Sequence, residues 1–229
     1  MRPSSTSRSI RRSIRPVRCL LAAAALGGAG LVGGFAATAQ PAATSAATSA
    51  ATSAVNAAAP LDFKLDPVHC MALFRIHHVG AGRFWGMFDQ VGGTMTYAED
   101  GKTAPTFDVT VQVESVHSGT EKLDRTIIGP QFFNAKEYET IRFVSTGGES
   151  TGDGTWNVTG DFTMHGVTKP VTARVEFTGL AGNPVQKKAG FEATFEVKRS
   201  DFGMDWGVKN KALGDDVRLV VGLEGDWTR

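Results

Sequence analysis

Cysteine is scarce in this sequence, and the motifs that depend on it are missing. Only Cys19 and Cys70 occur among 229 residues. There is no Cys-x-x-Cys and no His-Glu-x-x-His, so no zinc site is indicated, and the absence of Gly-x-Ser-x-Gly argues against a hydrolase nucleophile elbow. His77 and His78 are adjacent and would point to opposite faces of a strand, so they cannot chelate one metal ion together. We therefore predict no metal ion and no catalytic residues.

Carboxylates are absent before residue 60, whereas six arginines between Arg2 and Arg18 precede a long uncharged segment. That segment, residues 20–39, is rich in Ala and Gly and ends in Ala37-Thr38-Ala39. The order is typical of a secretory signal peptide, here residues 1–39, and predicts a periplasmic or secreted protein. Two alternatives stay open. Arg11-Arg12 could belong to a twin-arginine signal, and about 20 apolar residues suffice for an uncleaved membrane anchor.

Cleavage after Ala39 would leave a mildly acidic chain with one cysteine. The six arginines leave with the signal peptide, so 24 basic residues become 18 against 23 acidic ones, a formal charge of −5. Nucleic-acid recognition needs a basic patch, so nucleic acid is excluded as the main partner. Cys70 alone cannot form an intramolecular disulfide, and we interpret it as a small buried residue.

Residues 40–60 form a low-complexity segment that repeats Ala-Ala-Thr-Ser and carries no charge. Val55 is its one large apolar residue, so burial cannot offset the conformational entropy lost on folding. The composition predicts a flexible linker. A single folded domain is then expected over residues 61–229, which is long enough to bury a sizeable core.

Apolar and polar residues alternate through this domain, which indicates β-strands with one buried face. The alternation is regular at 107–114, 171–178, 191–198 and 217–223, and shorter runs occur at 63–66, 72–79, 94–98, 141–145, 155–158 and 161–164. Strands joined by short Gly-rich links favour an antiparallel sandwich or barrel. Residues 121–128 instead show helical spacing and predict one short helix that ends at Gly129.

Aromatic residues are concentrated in the same domain, which holds all four Trp and every Phe except Phe35. Many of them fall on the apolar face of a predicted strand. They either fill the interior of the fold or line a cavity for an apolar ligand, as the interior of an eight-stranded barrel allows. The residues alone leave both interpretations open.

Three blocks of sequence carry a resemblance to a known family. They are Asp66-Pro67-Val68-His69 followed by Phe74 and His78, Val158-Thr159-Gly160-Asp161-Phe162-Thr163-Met164-His165-Gly166, and Arg199-Ser200-Asp201-Phe202-Gly203-Met204 followed by Gly214-Asp215-Asp216-Val217. In this order they resemble the signature of the YceI-like family of periplasmic lipid-binding barrels. Cys70 stands where that family usually has Ser.

The resemblance implies an all-β fold: an eight-stranded antiparallel, lipocalin-like barrel with one or two short helices and an apolar interior tunnel. It implies a non-enzymatic carrier or store for a long lipid, such as a polyprenyl chain or isoprenoid quinone, with no other cofactor. A homodimer and a membrane-associated donor or acceptor are further expectations. The alternatives are a ligand-free structural or stress-response barrel and an enzyme acting on a bound lipid, for which His69, His78 and Ser115 are the candidates.

We expect the lipid tail to contact apolar residues on or beside the buried strand faces, namely Phe74, Ile76, Phe88, Phe143, Phe162 and Phe195. Ordinary core packing is the alternative for each of them. A phosphate or quinone head group needs hydrogen-bond donors. His78, Arg125 and Arg199 are the candidates: His78 and Arg199 lie inside the blocks above, and Arg125 lies in a further segment that resembles the family, Ser115-Val116 followed by Asp124-Arg125.

Overall fold

The computed structural model describes residues 59–183 and 186–228. The predicted signal peptide and nearly all of the predicted linker lie outside the described residues. The described part consists mainly of β-strands: β1 Leu61–Leu65, β2 Met71–His78, β3 Gly82–Phe88, β4 Val91–Tyr97, β5 Thr106–Gln112, β6 Val116–His117, β7 Thr140–Gly152, β8 Thr155–Met164, β9 Val167–Asn183, β10 Gln186–Lys198 and β11 Leu213–Trp227. Helix α1 spans Glu121–Ile127, and short 3₁₀ turns span Val113–Ser115 and Arg199–Phe202.

These strands close into an eight-stranded antiparallel barrel, as the sequence predicted. Three of the barrel strands are interrupted, and each consists of two elements that follow one another in the chain: β1 and β2, β3 and β4, and β5 and β6. The hydrogen bonding shows this, because β1 pairs with β4 while β2 pairs with β3, and β3 also pairs with β6. The order then continues from β5 through β7, β8, β9 and β10 to β11. Strand β11 closes the barrel by pairing with both β1 and β2. Closure removes the exposed edges that an open sheet would present.

Alternation along each strand explains which residues face the interior. In β8, Trp156, Val158, Gly160, Phe162 and Met164 are buried, while the residues that alternate with them are more exposed. The sequence had predicted two runs here, but Gly160 pairs with Ser145 and Val171, so β8 is one continuous strand. The predicted helix is confirmed as α1, with Ile128 as its C-cap. No helix among the described residues is long and apolar enough to cross a membrane.

The two ends of the barrel are built differently. The mouth end carries the turn between β2 and β3, residues 118–139 with α1, the turn at His165 and Gly166, and residues 199–212. The floor end carries the loop 98–105, the turn at Asp153 and Gly154, the end of β9 and the start of β10. The polypeptide enters β1 at the floor end. All the longer connections of the described chain except loop 98–105 therefore gather at the mouth.

Aromatic rings fill the floor end. Tyr97 stacks on Phe177 with ring centroids 4.5 Å apart, and Phe191 meets Tyr97 edge-on at 5.6 Å and Phe107 at 5.4 Å. Trp156 is fully buried beside them, and its Nε1 has no hydrogen-bond partner in the described part of the chain. Burying each such side chain contributes roughly 1.5–3 kcal/mol. The floor is therefore a packed aromatic layer, and the open space of the barrel lies above it.

Candidate functional site

A wide chamber of about 780 Å³ lies inside the mouth end of the barrel. Most of its wall comes from β2, β3, α1, the segment after α1, residues 199–212 and β11, with single residues from β7, β8 and β10. Most of the wall is apolar: Phe74, Ile76, Phe84, Phe88, Phe132, Phe133, Met164, Val197, Met204, Val217 and Leu219. The polar lining residues are His78, Arg83, Thr126, Gln131 and Arg199, and none of the carboxylates of the described residues lines the chamber. A chamber of this size and polarity is typical of a small-molecule site.

A narrow chamber of about 70 Å³ continues deeper into the barrel. Among the described residues that line it, Arg142 alone is charged, and its guanidinium forms an exposed ion pair with Asp108. Phe88, Ile141 and Leu219 belong to the walls of both chambers, so the two chambers adjoin, and we call them together the tunnel. Phe107 also lines the narrow chamber and packs against Phe191 of the aromatic floor. The tunnel thus runs from the mouth to the floor.

The six residues expected to contact a lipid tail all line this tunnel. Phe74 and Ile76 line the wide chamber, Phe88 lies at the junction, and Phe143, Phe162 and Phe195 line the narrow chamber. The rings of Phe162 and Phe195 lie 5.5 Å apart and nearly perpendicular. Their contact with a ligand stays a prediction, since core packing alone would also place them here.

The three head-group candidates lie in different environments. His78 and Arg199 line the wide chamber, with His78 exposed at the mouth and Arg199 buried. Arg125 lies outside the chamber, where its side chain is exposed on α1 and forms an ion pair with Glu121. A contact between Arg125 and a ligand in the tunnel is therefore no longer expected.

Arg199 is held by backbone carbonyls of the mouth segment. Its Nε donates to the carbonyl of Gly214 at 2.8 Å, Nη1 to that of Met204 at 2.7 Å, and Nη2 to that of Trp206 at 2.7 Å, with a longer contact to Leu213. Burial lowers the pKa of Arg199, and the charges of Asp215 and Asp205 partly oppose this shift. No carboxylate among the described residues forms an ion pair with Arg199. Its first role is to fix the mouth segment, and its positive charge faces the chamber from a dry site.

The residues considered for catalysis do not converge. Of His69, His78 and Ser115, only His78 lines the tunnel. Ser115 is buried in a structural position, where its Oγ donates to the carbonyl of Gln112 and accepts from the N–H of Gln90. His69 lies outside the barrel wall beside Asp66. The geometry therefore does not assemble the trio that an enzyme acting on a bound lipid would use.

Asp66, His69 and Glu224 have side-chain ligand atoms within 4.8 Å of one another, a spacing that could hold a metal ion. The ammonium group of Lys188 already lies among these carboxylates, 3.1 Å from Asp66 and 3.0 Å from Glu224, and 2.9 Å from Asp226. These contacts raise the pKa of Lys188 and help to lower that of Asp66. The cluster is therefore a network of ion pairs joining β1, β10 and β11, and it carries no metal proposal.

Several lining residues were missed by sequence reasoning. Phe84 belongs to β3, which was not predicted, because Gly82 and Gly86 interrupt its inward face while Trp85 and Met87 give the outward face apolar side chains. Leu123, Phe132 and Trp206 lie on α1 or in loops, where no period of two marks an inward side chain. Only their aromatic or apolar character was a signal.

Comparison with known proteins places this architecture in a family. Residues 63–225 match the YceI-like domain. Protein YceI of Escherichia coli O157:H7 is 33% identical over 174 residues, which cover 74% of this chain and 88% of the relative. Protein YceI of Salmonella arizonae is 32% identical over the same shares.

Solved structures agree with the fold. Burkholderia cenocepacia BcnA superposes with a TM-score of 0.61 at 23% identity, covering 70% of this chain and 98% of BcnA. A polyisoprenoid binding domain from Saccharophagus degradans gives a TM-score of 0.57 at 14% identity, covering 73% of this chain and 99% of that domain. The sequence match, the close relatives and the shared barrel together establish that this chain belongs to the YceI-like family.

Proposed function

We propose that this protein is an extracytoplasmic lipid-binding protein that holds a long isoprenoid or fatty chain in its tunnel, as a carrier or a store. The observation that carries this proposal is the pair of adjoining apolar chambers inside a closed barrel, the wider of about 780 Å³. Protein interiors are close-packed, and an apolar chain that contacts walls of this kind gains dispersion energy along its length. A lipid tail has the shape and the apolar surface to make those contacts. The extracytoplasmic part of the proposal rests on residues 1–39.

The length of the tunnel suggests the length of the tail. Leu213 lines the mouth end and Leu223 the narrow end of β11, and the register with β2 shifts between Leu213 and Val217, so that four residues of β11 pass two of β2. The separation therefore corresponds to about eight residues of regular strand, which span about 26 Å, or about 20 Å along the axis of a barrel whose strands tilt by about 40°. Three bonds of an extended chain advance by about 3.5 Å, so a straight tail of about 17 bonds fits. A longer tail would fold back within the wide chamber or protrude from the mouth.

The chemistry of the wall favours a polyisoprenoid or fatty ligand with a polar head at the mouth. The polar lining residues belong to the wide chamber, and the narrow chamber offers apolar walls apart from Arg142. His78 and Arg199 are the groups we propose for the head, because both line the wide chamber and both can donate hydrogen bonds. The similarly folded domain of Saccharophagus degradans is described as polyisoprenoid binding, which supports the ligand class.

Native mass spectrometry tests the proposal, with organic extraction of the same sample. The protein is purified without detergent from a host rich in membrane, and the extracted ligand is then identified. A stoichiometric isoprenoid or fatty species supports a carrier or store. A mass without ligand, together with no uptake of added quinone, polyprenyl phosphate or fatty acid, would instead favour a structural barrel without a ligand.

A further inference from the structure

The rim of the tunnel mouth exposes three large apolar side chains. Val79 is 62% exposed, Trp206 is 45% exposed and Leu123 is 36% exposed, and all three also line the wide chamber. They come from three separate parts of the chain: the turn between β2 and β3, the loop before β11, and α1. We define the mouth rim as residues 79–83, 121–133 and 203–212. Apolar side chains gathered on one exposed rim mark an interaction surface rather than chance exposure.

The rim is held in place rather than left loose. The N–H of Val79 donates to the carbonyl of Ala212 at 2.9 Å, which ties the first rim segment to the third. The rings of Phe132 and Trp206 lie 5.4 Å apart, which joins the second segment to the third, and Arg199 holds the carbonyls of Met204 and Trp206. Val79 also has a φ of 51°, a conformation that strains a β-branched residue. Strain of this kind is typical of functional positions.

Charge distinguishes the rim from the rest of the domain. The rim carries five cations, Arg83, Lys122, Arg125, Lys209 and Lys211, against the three carboxylates Glu121, Asp124 and Asp205. Its formal charge is +2, whereas the residues from 61 to 229 outside the rim carry 13 Lys and Arg against 20 Asp and Glu, a charge of −7. Counted more widely, over residues 79–83, 118–139 and 199–212, the mouth end has seven cations against six carboxylates, a charge of +1. Of the rim cations, only Arg125 forms an ion pair with a described residue, and Glu137, just beyond the rim, is bonded to Asn134 and Tyr138.

We propose that the mouth rim docks the barrel on the surface of an anionic lipid bilayer, with Val79, Leu123 and Trp206 entering the interface. This inference rests on the proposed function, because docking would load or unload the lipid ligand. Trp is favoured at membrane interfaces, and lysines beside apolar residues are attracted to anionic headgroups. The acidic remainder of the domain would be repelled from the same surface, so that the mouth faces the membrane. The tail could then pass between bilayer and tunnel without crossing water.

Vesicle co-sedimentation tests this surface, using phosphatidylcholine vesicles with and without phosphatidylglycerol. All variants are made in the same chain, so residues outside the described part contribute equally to each. Leu123→Ser and Trp206→Ser should weaken binding to the anionic vesicles, while Leu180→Ser is the matched control, since Leu180 is equally exposed, at 36%, on the floor half of β9. Lys209→Glu with Lys211→Glu should weaken binding by about tenfold or more. Lys64→Glu with Lys102→Glu makes the same charge change at the floor end.

The proposal is supported if the unsubstituted protein prefers anionic vesicles and only the rim variants lose that preference. It is overturned if the protein ignores anionic vesicles, or if Leu180→Ser and the floor-end charge variant lose binding as much as the rim variants. Concentration-dependent dimers that Trp206→Ser abolishes, in a protein that ignores vesicles, would assign the rim to a second copy. Thermal unfolding of each variant establishes that it is folded. Mass spectrometry of the bound ligand separates the two proposals. A protein that carries a lipid but does not bind vesicles would overturn the docking proposal and leave the lipid-binding proposal standing.

Discussion

The ring of Phe74 lies directly across Gly86 on the neighbouring strand. The two residues are paired partners of β2 and β3, and a Cβ atom built on Gly86 would collide with the ring. Gly86 therefore gives Phe74 the room to lie flat against the barrel wall and leave the wide chamber open. The ring of Phe143 likewise lies over Gly160 of the neighbouring strand, although Gly160 pairs with Ser145, since a Cβ atom on Gly160 would lie 2.5 Å from Cζ of Phe143.

Gly86→Ala should narrow the chamber. The added methyl group forces the ring of Phe74 toward the tunnel, so we expect less bound lipid and a loss of about 1–3 kcal/mol in the free energy of unfolding. Lipid stoichiometry by native mass spectrometry and a denaturant titration measure the two effects. Gly82→Ala on the same strand is the control, because a methyl group added at Gly82 would point into open space. Equal lipid content in the two variants would contradict the proposed role of Gly86.

Phe143→Trp should shorten the tunnel at its narrow end. Phe143 lines the narrow chamber, which has little space for a larger ring. The ring already lies against the backbone at Gly160, so a larger ring must extend into the chamber. We expect weaker binding of long tails and little change for short ones, measured as affinity across a series of fatty acids or polyprenyl phosphates. Phe132→Trp adds a similar volume at the mouth and should not discriminate by length. Affinity that stays unchanged across the series in Phe143→Trp would remove Phe143 from the tail site.

Whether a tunnel residue could be predicted from the sequence depends on whether it lies on a regular strand or in a loop of the mouth. Phe195 was predicted because the regular alternation of β10 marks its inward face, and Phe162 because it lies in the shorter run 161–164, now part of β8. Phe84 was missed because the glycines of β3 hide its period. Trp206 and the carbonyl ligands of Arg199 could not be predicted, since their position depends on the path of residues 203–214 between β10 and β11. Local periodicity specifies strands and their faces, whereas the mouth is built by contacts between distant loops.

Cys70 stands where the family usually has Ser, and the fold accommodates the thiol in place of the hydroxyl. Its Sγ donates to the carbonyl of Glu224 at 3.2 Å and accepts from the N–H of the same residue at 3.3 Å. Cys70→Ser should change the free energy of unfolding by less than about 1 kcal/mol, because a hydroxyl can make both bonds. Cys70→Ala leaves the N–H of Glu224 without that partner and should cost about 1–3 kcal/mol, while the carbonyl of Glu224 still accepts from the N–H of Asp66 at 2.8 Å. Chemical denaturation compares the two variants, and an equal effect would contradict the role of these bonds.

The thiol of Cys70 should also react slowly in the folded protein. Burial raises the pKa of Cys70, so little thiolate forms near neutral pH. A thiol reagent added at neutral pH, with the modified residue located by peptide mapping, should label Cys70 at once in the unfolded protein and only as the protein opens in the folded state. Rapid modification of the folded state would contradict the buried position.

The ion pair of His69 and Asp66 should make stability depend on pH. Asp66 and Glu224 raise the pKa of His69 above its usual 6.5, while Lys188 opposes the shift. The stabilisation from His69 is therefore complete below its unfolded pKa and is lost as the pH rises through the folded pKa. Asp66, whose pKa is lowered by His69, Val68 and Lys188, contributes above its usual 3.8 and loses its contribution as the pH falls.

His69→Gln should accordingly lower the midpoint of thermal unfolding more at about pH 5.5 than at about pH 8.5. His77→Gln is the control, because His77 is exposed and forms no ion pair with a described residue. The same loss at both pH values would mean that His69 contributes packing or a neutral hydrogen bond instead of a charge. An NMR titration of the imidazole of His69 gives an independent reading of the direction of its shift.

Substitutions of Arg199 and Arg125 should differ in their effect on the free energy of unfolding, because Arg199 is buried and holds backbone carbonyls whereas Arg125 lies on the surface. Arg199→Lys keeps the charge, but one ammonium group cannot reach the carbonyls of Met204, Trp206 and Gly214 together. We expect a loss of about 2–4 kcal/mol in the free energy of unfolding, since buried carbonyls lose their donors. Arg125→Ala should change stability by less than about 0.5 kcal/mol and leave lipid retention intact, because its ion pair is exposed. If Arg125→Ala empties the tunnel while the barrel stays folded, the head group lies at α1 and the position proposed between His78 and Arg199 is wrong.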